Sequence, residues 1–145
     1  HAHYAAGVVY DVDGQRTAAD EEFYQAALLD PADEELVLEV SARLVRDKQT
    51  EKAREVVSRA TAQPGASGQL YARLGLIYTE LDRPEEAAAA NRTAIKQSPD
   101  SLAGYQNLCL GYLAQKRPEE ALKVLAEAGR LPARKAVLGV GRRSG

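Results

Sequence analysis

Apolar residues recur along this chain at spacings of three and four, the period of one face of a helix. Between Tyr71 and Tyr78 they fall at Tyr71, Leu74, Gly75 and Tyr78. A polar break follows at Asp82-Arg83-Pro84, and a second stripe runs through Ala87, Asn91 and Ala94 before Ser98-Pro99-Asp100. Pro84 suits the first turn of a helix, where its missing N–H is not needed. Glu85 and Glu86 then complement the positive end of the helix dipole. The same grammar returns as Tyr105, Leu108, Cys109 and Tyr112, then Arg117-Pro118-Glu119-Glu120, then Ala121, Leu125 and Ala128. Each such stretch predicts a helix–turn–helix hairpin.

The hairpins repeat every 34 residues without a gap. Ala19, Ala53, Ala87 and Ala121 share one column, and Ala26, Ala60, Ala94 and Ala128 another. Tyr10, Leu44, Tyr78 and Tyr112 form a large column, and Gly7, Ser41, Gly75 and Cys109 a small one. Small residues are expected where helices approach closely, with the large columns filling the space beside them. A single hairpin cannot bury its apolar face, so stability is expected from stacking of neighbours. The reading is four repeats at 1–33, 34–67, 68–101 and 102–133, followed by a basic, Gly-rich tail at 134–145 expected to be partly disordered.

This pattern resembles the tetratricopeptide repeat family. Its signature of an aromatic, L-G and Tyr in the first helix, then A-x3-F-x2-A and Pro, reads here as Tyr71, Leu74-Gly75, Tyr78, Ala87, Asn91, Ala94 and Pro99. In the first unit it reads His3, Ala6-Gly7, Tyr10, Ala19, Phe23, Ala26 and Pro31. The second unit keeps sizes but loses the aromatics and the glycine. Asn91 departs from the pattern by standing where Phe is usual, and local looseness or a bond to a neighbouring backbone group is expected there. The resemblance implies an all-α superhelical solenoid whose concave wall is lined by the first helix of each hairpin.

Removing the internal packing residues from each first helix leaves the residues expected on that wall. They are Tyr4, Val8 and Asp11; Leu38, Ala42 and Val45; Ala72, Leu76 and Thr79; and Gln106, Leu110 and Leu113. An exposed apolar strip that hairpin packing does not require usually binds something. The expected function is therefore a scaffold or adaptor that holds a peptide or helix of a protein partner. The alternatives are a scaffold that self-associates through uncapped repeat ends, and a regulatory piece of a larger protein. Coverage of the strip by the chain's own tail is a further alternative. Some members of the family hold a C-terminal carboxylate in a Lys/Asn clamp. Here the corresponding positions carry residues such as Tyr4, Val8 and Gln106, leaving Arg73 and Asn107 as isolated donors, so no clamp is expected.

Composition narrows the classes further. The 145 residues carry a net charge of -2, so no global field recruits nucleic acid or anionic lipid. No apolar run reaches the roughly 18 residues of a membrane span, and one cysteine makes no internal disulfide. The absence of Met reads as a mature form or a fragment, and the compartment stays open. Charge is unevenly spread: residues 1–50 hold 11 acids and 4 Lys/Arg, whereas Lys116 onward holds 8 Lys/Arg and 3 acids. These charges read mainly as solvated helix faces.

No catalytic constellation, cofactor or metal site is expected. His1-Ala2-His3 reads as a frayed end. Cys109, in a small-residue column and without a nearby His, reads as a small hydrophobe. Asn91-Arg92-Thr93 matches a glycosylation triplet but falls inside a predicted helix. Gly139-Val140-Gly141 lacks the strand and helix of a phosphate loop.

Overall fold

Eight helices succeed one another in the computed structural model, which describes residues 2–129. They are α1 (Ala2–Val12), α2 (Arg16–Leu29), α3 (Glu34–Arg46), α4 (Thr50–Thr61), α5 (Gly68–Glu80), α6 (Pro84–Gln97), α7 (Leu102–Ala114) and α8 (Pro118–Gly129). No strand occurs among the described residues. The predicted tail at 134–145, His1 and the Gly139-Val140-Gly141 segment lie outside them. The chain divides into two units, His1–Ala66 with α1–α4 and Ser67–Gly145 with α5–α8. In each unit, helices adjacent in sequence pack as antiparallel hairpins: α1 on α2 and α3 on α4, then α5 on α6 and α7 on α8.

The turn inside every hairpin has one construction. The N–H of Gln15 donates to the Tyr10 carbonyl (2.8 Å) and that of Gly14 to the Asp11 carbonyl (3.1 Å). Steps of 34 residues give Gln49 to Leu44 and Lys48 to Val45, Arg83 to Tyr78 and Asp82 to Thr79, and Arg117 to Tyr112 and Lys116 to Leu113. This nested pair of bonds satisfies the last carbonyls of the helix and requires one residue in the left-handed region. That residue is Gly14 (φ 74°), Lys48 (63°), Asp82 (58°) and Lys116 (60°). Only the first is the glycine that adopts this conformation without cost.

Helix starts are likewise encoded locally. The side chains of Asp33, Ser67 and Ser101 cap α3, α5 and α7, accepting from the N–H groups of Leu36, Leu70 and Ala103. Pro84 and Pro118 open α6 and α8, followed by Glu pairs. Arg83 lies over the Tyr78 ring and bonds both oxygens of Glu86 (2.7 and 2.8 Å). Arg117 repeats this over Tyr112 with Glu120 (2.6 Å).

Packing follows the size columns. Gly7 lets the Phe23 ring lie directly on the α1 backbone: a methyl there would stand 2.8 Å from ring carbon Cε1. Tyr4 meets the same ring edge-on at 5.4 Å, and the Arg43 guanidinium caps it at 4.9 Å. Ala19, Ala53, Ala87 and Ala121 are all buried, as are Ala26, Ala60, Ala94 and Ala128. Cys109 is buried among Tyr105, Leu108, Ala121, Val124 and Ala128. Because these alanines fill close crossings, Ala87→Leu or Ala121→Leu should overpack and cost about 1–2 kcal/mol, read as a lowered thermal or urea midpoint.

Two packing expectations are corrected. In α8 the core is filled by Val124, which is fully buried, while Leu125 is 53% exposed. Asn91 is only 1% exposed, yet its Oδ1 has no hydrogen-bond partner instead of bonding a backbone group. The side chain lies flat against Gly75, whose missing Cβ leaves the space that the amide occupies.

Candidate functional site

In the first unit, the residues expected on the wall lie on α1 and α3. Val8 and Ala42 are exposed, and Tyr4, Leu38 and Val45 are half-buried. Asp11 is exposed but engaged: Arg43 Nη2 donates to its Oδ1 at 2.6 Å and Nη1 to its Oδ2 at 3.2 Å. That contact holds the Asp11 carboxyl below its ordinary pKa. Beside Tyr4, a cleft of about 330 Å³ opens against Asp33, Glu35, Leu36 and Glu39. Glu35 and Glu39 were not on the expected wall, because charged side chains one turn apart on α3 read as a solvent face.

In the second unit, α5 and α7 carry the corresponding residues. Leu76, Leu110 and Leu113 are exposed, Leu110 by 61%, together with Thr79 and Gln106. Ala72 departs from the expectation: it is buried, and its carbonyl accepts from Asn107 Nδ2 at 3.1 Å. Asn107 is thereby a tie between α5 and α7. Arg73 is half-buried, and burial lowers its pKa from the usual arginine value. A cavity of about 80 Å³ lies among α5, α6 and α7, bordered by Thr79, Arg83, Asn91, Leu108 and Tyr112. It has room for two or three waters, by the roughly 30 Å³ each occupies in the liquid.

A buried ionic cluster in the first unit was not visible in the sequence. Asp20 of α2 is 1% exposed. Its Oδ1 accepts from Arg43 Nε of α3, and its Oδ2 from Gln49 Nε2 at 3.3 Å. Asp47, at the end of α3, accepts from Arg16 Nε at 2.7 Å. The other Asp47 oxygen is buried without a hydrogen-bond partner. Burial, with the neighbouring Asp47 carboxyl, pushes the Asp20 pKa up against the pull of Arg43. Arg16, aided by Asp20, pulls Asp47 down to about 2. Arg43 thus serves α1, α2 and α3 at once, through Asp11, Asp20 and the Phe23 ring. The cluster couples α1, α2 and α3. Among the described residues, no three His, Cys, Asp or Glu side chains converge as metal ligands, and no helix is long and apolar enough to cross a membrane.

The tetratricopeptide repeat profile matches residues 68–101, the hairpin of α5 and α6. The chain carries the tetratricopeptide repeat. Solved structures similar to the chain share its fold. One crystal structure of MamA protein superposes with a TM-score of 0.71 at 23% identity, covering 92% of this chain and 73% of that one. MamA 41-end from Desulfovibrio magneticus RS-1 gives 0.67 at 22% identity, covering 86% of this chain and 71% of that one. A further structure, MamA MSR-1 C2, gives 0.69 at 18% identity, with 92% and 76% covered. These likenesses place the tetratricopeptide repeat chain in the all-α helical-repeat class. No curated protein matches its sequence.

Proposed function

We propose that the chain is a protein-interaction scaffold that binds a peptide or helix of a partner along the first helices of its hairpins. The observation that carries this reading is the exposure of Leu76, Leu110 and Leu113 on α5 and α7, beside a core already filled by Leu70, Leu74, Ile77 and Leu108. Leucines that packing does not need, clustered on adjacent helices, gain free energy only when a partner covers them. In the first unit Tyr4, Val8, Leu38, Ala42 and Val45 carry the same chemistry on α1 and α3, with Asp11 exposed on α1, and in the second Thr79 and Gln106 are exposed on α5 and α7. A partner with apolar residues at helical or extended spacing fits such a surface.

Leu76→Glu with Leu110→Glu should abolish partner capture while leaving the helical circular dichroism signal and melting temperature close to wild type. Capture that persists in the double variant sinks the reading; a collapsed spectrum would assign the two leucines to the core. A second reading, association of chains through the α8 end, draws on the exposure of Leu122 and Leu125. Sedimentation across protein concentrations, with and without Leu122→Glu and Leu125→Glu, separates it from the first.

A further inference from the structure

We propose that the cavity among α5, α6 and α7 takes the end of a lysine side chain supplied by the partner, with Asn91, Thr79 and Asp82 as acceptors for its ammonium. The inference deepens the scaffold reading above and rests on it. The cavity of about 80 Å³ traces to one residue. Asn91 stands two repeats after Phe23, and Gly75 two repeats after Gly7. In the α1–α2 hairpin the Phe23 ring covers Gly7, and in the α5–α6 hairpin the Asn91 amide covers Gly75. An asparagine side chain has three heavy atoms fewer than a phenylalanine. At the volume of one water each, that is a deficit of roughly 90 Å³, which matches the cavity.

The surroundings suit a cation on an aliphatic stem. Ala87, Asn91 and Leu108, all buried, border the cavity from within, and Thr79 and Asp82 border it as exposed residues. Oδ1 of Asn91 has no hydrogen-bond partner. It lies against Gly75, and because the terminal asparagine torsion is roughly two-fold, a half-turn offers this acceptor to an occupant. The Thr79 hydroxyl donates to the Gly75 carbonyl at 3.0 Å, which leaves its oxygen to accept. Two charged residues border the cavity. Arg83 is engaged by Glu86 and by the Tyr78 ring, whereas Asp82 has no ion-pair partner among the described residues. An ammonium, with three donors and no acceptor, is the complement of two neutral acceptors and a carboxylate.

Size separates lysine from arginine. Room for about three heavy atoms holds the nitrogen of a lysine and its last carbons, whereas a guanidinium puts four heavy atoms in one rigid plane. The rest of the lysine stem is aliphatic and suits the apolar border of Pro84, Gly111 and Ala114. Reach connects the cavity to the exposed leucines. Thr79 follows Leu76 by three residues on α5, a spacing that puts their Cβ atoms about 5–6 Å apart. A partner resting on Leu76 therefore lies within the reach of one lysine side chain from Thr79. The leucines supply covered area, and the cavity selects among partners by what they carry beside their apolar residues.

The test titrates the isotope-labelled full chain with n-butylammonium, a lysine side chain without its backbone, and follows the nuclear magnetic resonance signals of the Asn91 amide and the Thr79 and Leu108 methyls. Saturating shifts are expected near the millimolar range, the limit that so few buried atoms set. n-Butanol, equal in length and uncharged, should bind about tenfold more weakly. Asp82→Asn, which keeps a residue at home in the left-handed conformation, should weaken butylammonium binding about fivefold. Asn91→Phe refills the space as Phe23 does over Gly7 and should abolish the methyl shifts, with circular dichroism confirming that the helices persist. Nα-acetyl-lysine N-methylamide should bind as butylammonium does, because a partner's lysine arrives with its backbone. Butanol binding as tightly as the amine, or shifts indifferent to Asp82→Asn or Asn91→Phe, would overturn the proposal. Binding of the free amine without binding of the lysine derivative would overturn its assignment to a partner. Capture that depends on Leu76 and Leu110 would leave the scaffold reading standing in each of these events.

Discussion

Arg43→Leu is expected to destabilise the first unit by about 3 kcal/mol, the lower end of what removing one partner from a buried ion pair costs, because the outer end of Arg43 reaches solvent. The loss is larger than that of an exposed pair for a geometric reason. Asp20 is almost completely enclosed, and without Arg43 its carboxylate keeps only the 3.3 Å bond from Gln49. Asp11 and the Phe23 ring lose their cation together with Asp20. Hydrogen exchange resolved by peptide is the suitable measurement, since it reads each unit separately and a single midpoint presumes one transition. Exchange in α1–α4 that matches wild type would show that the cluster contributes nothing.

The same cluster sets a dependence on pH with two limbs. Asp47 is held near 2 when folded, below its ordinary 3.8. The folded state therefore releases that proton more readily, and stability rises with pH from about 2 to about 4. Asp20 is shifted the other way, above 3.8. The folded state retains that proton, so stability then falls as pH rises through the raised value. Asp11, lowered by Arg43, adds to the first limb. A stability maximum in mild acid should follow, and Asp20→Asn should remove the descending limb while sparing the ascending one. A monotonic rise in stability to neutrality would contradict the assignment.

Gly75→Ala should cost the second unit about 2 kcal/mol net, although alanine is the better helix former. Propensity alone would favour the substitution by about 1 kcal/mol. The new methyl would stand 2.5 Å from Asn91 Cγ and 2.8 Å from its Nδ2, inside any real contact distance. Asn91 is buried, and its amide would have to leave the space beside Gly75 that it now fills, so overpacking outweighs propensity. Pairing Gly75→Ala with Asn91→Ala should recover most of the loss, because the two changes share one contact and their effects do not add. Additive losses in a urea titration would refute the pairing. Asn91→Leu by itself should be neutral or mildly stabilising, since it removes a buried acceptor that nothing satisfies.

These cases show which parts of the molecule were legible in the sequence. The hairpins were, because Gly7 with Phe23, the alanine columns and Pro84 with Glu85 and Glu86 act within a few turns of one another and recur at one period. Asn91 was noticed as an exception, but periodicity does not say what an exceptional side chain touches. Its answer lies 16 residues away, at Gly75. Leu125 and Val124 traded places because both are apolar and adjacent, and only the rotation of α8 decides between them. The expected wall kept its exposed leucines but lost Ala72, whose small side chain suits either face of a helix. The Asp20–Arg43–Asp47 cluster was hidden for another reason. Its members are separated by 23 and 27 positions from Asp20, and a charge in a helix reads as solvated unless its partner is known.

The hairpin turns have a last consequence, for how such a chain can change length. Glycine, lysine, aspartate and lysine occupy the same left-handed position with nearly the same φ. The bend is therefore written in the backbone hydrogen bonds that flank it and not in the residue at its tip. A 34-residue block copied in frame brings its own bend, its own cap at Asp33, Ser67 or Ser101, and its own small and large columns. Nothing outside the block has to be rewritten for the copy to close. Growth or shrinkage by whole repeats is thus the least disruptive edit this architecture admits, whereas a single inserted residue within a helix would turn every later column on that helix by about 100° away from its partner.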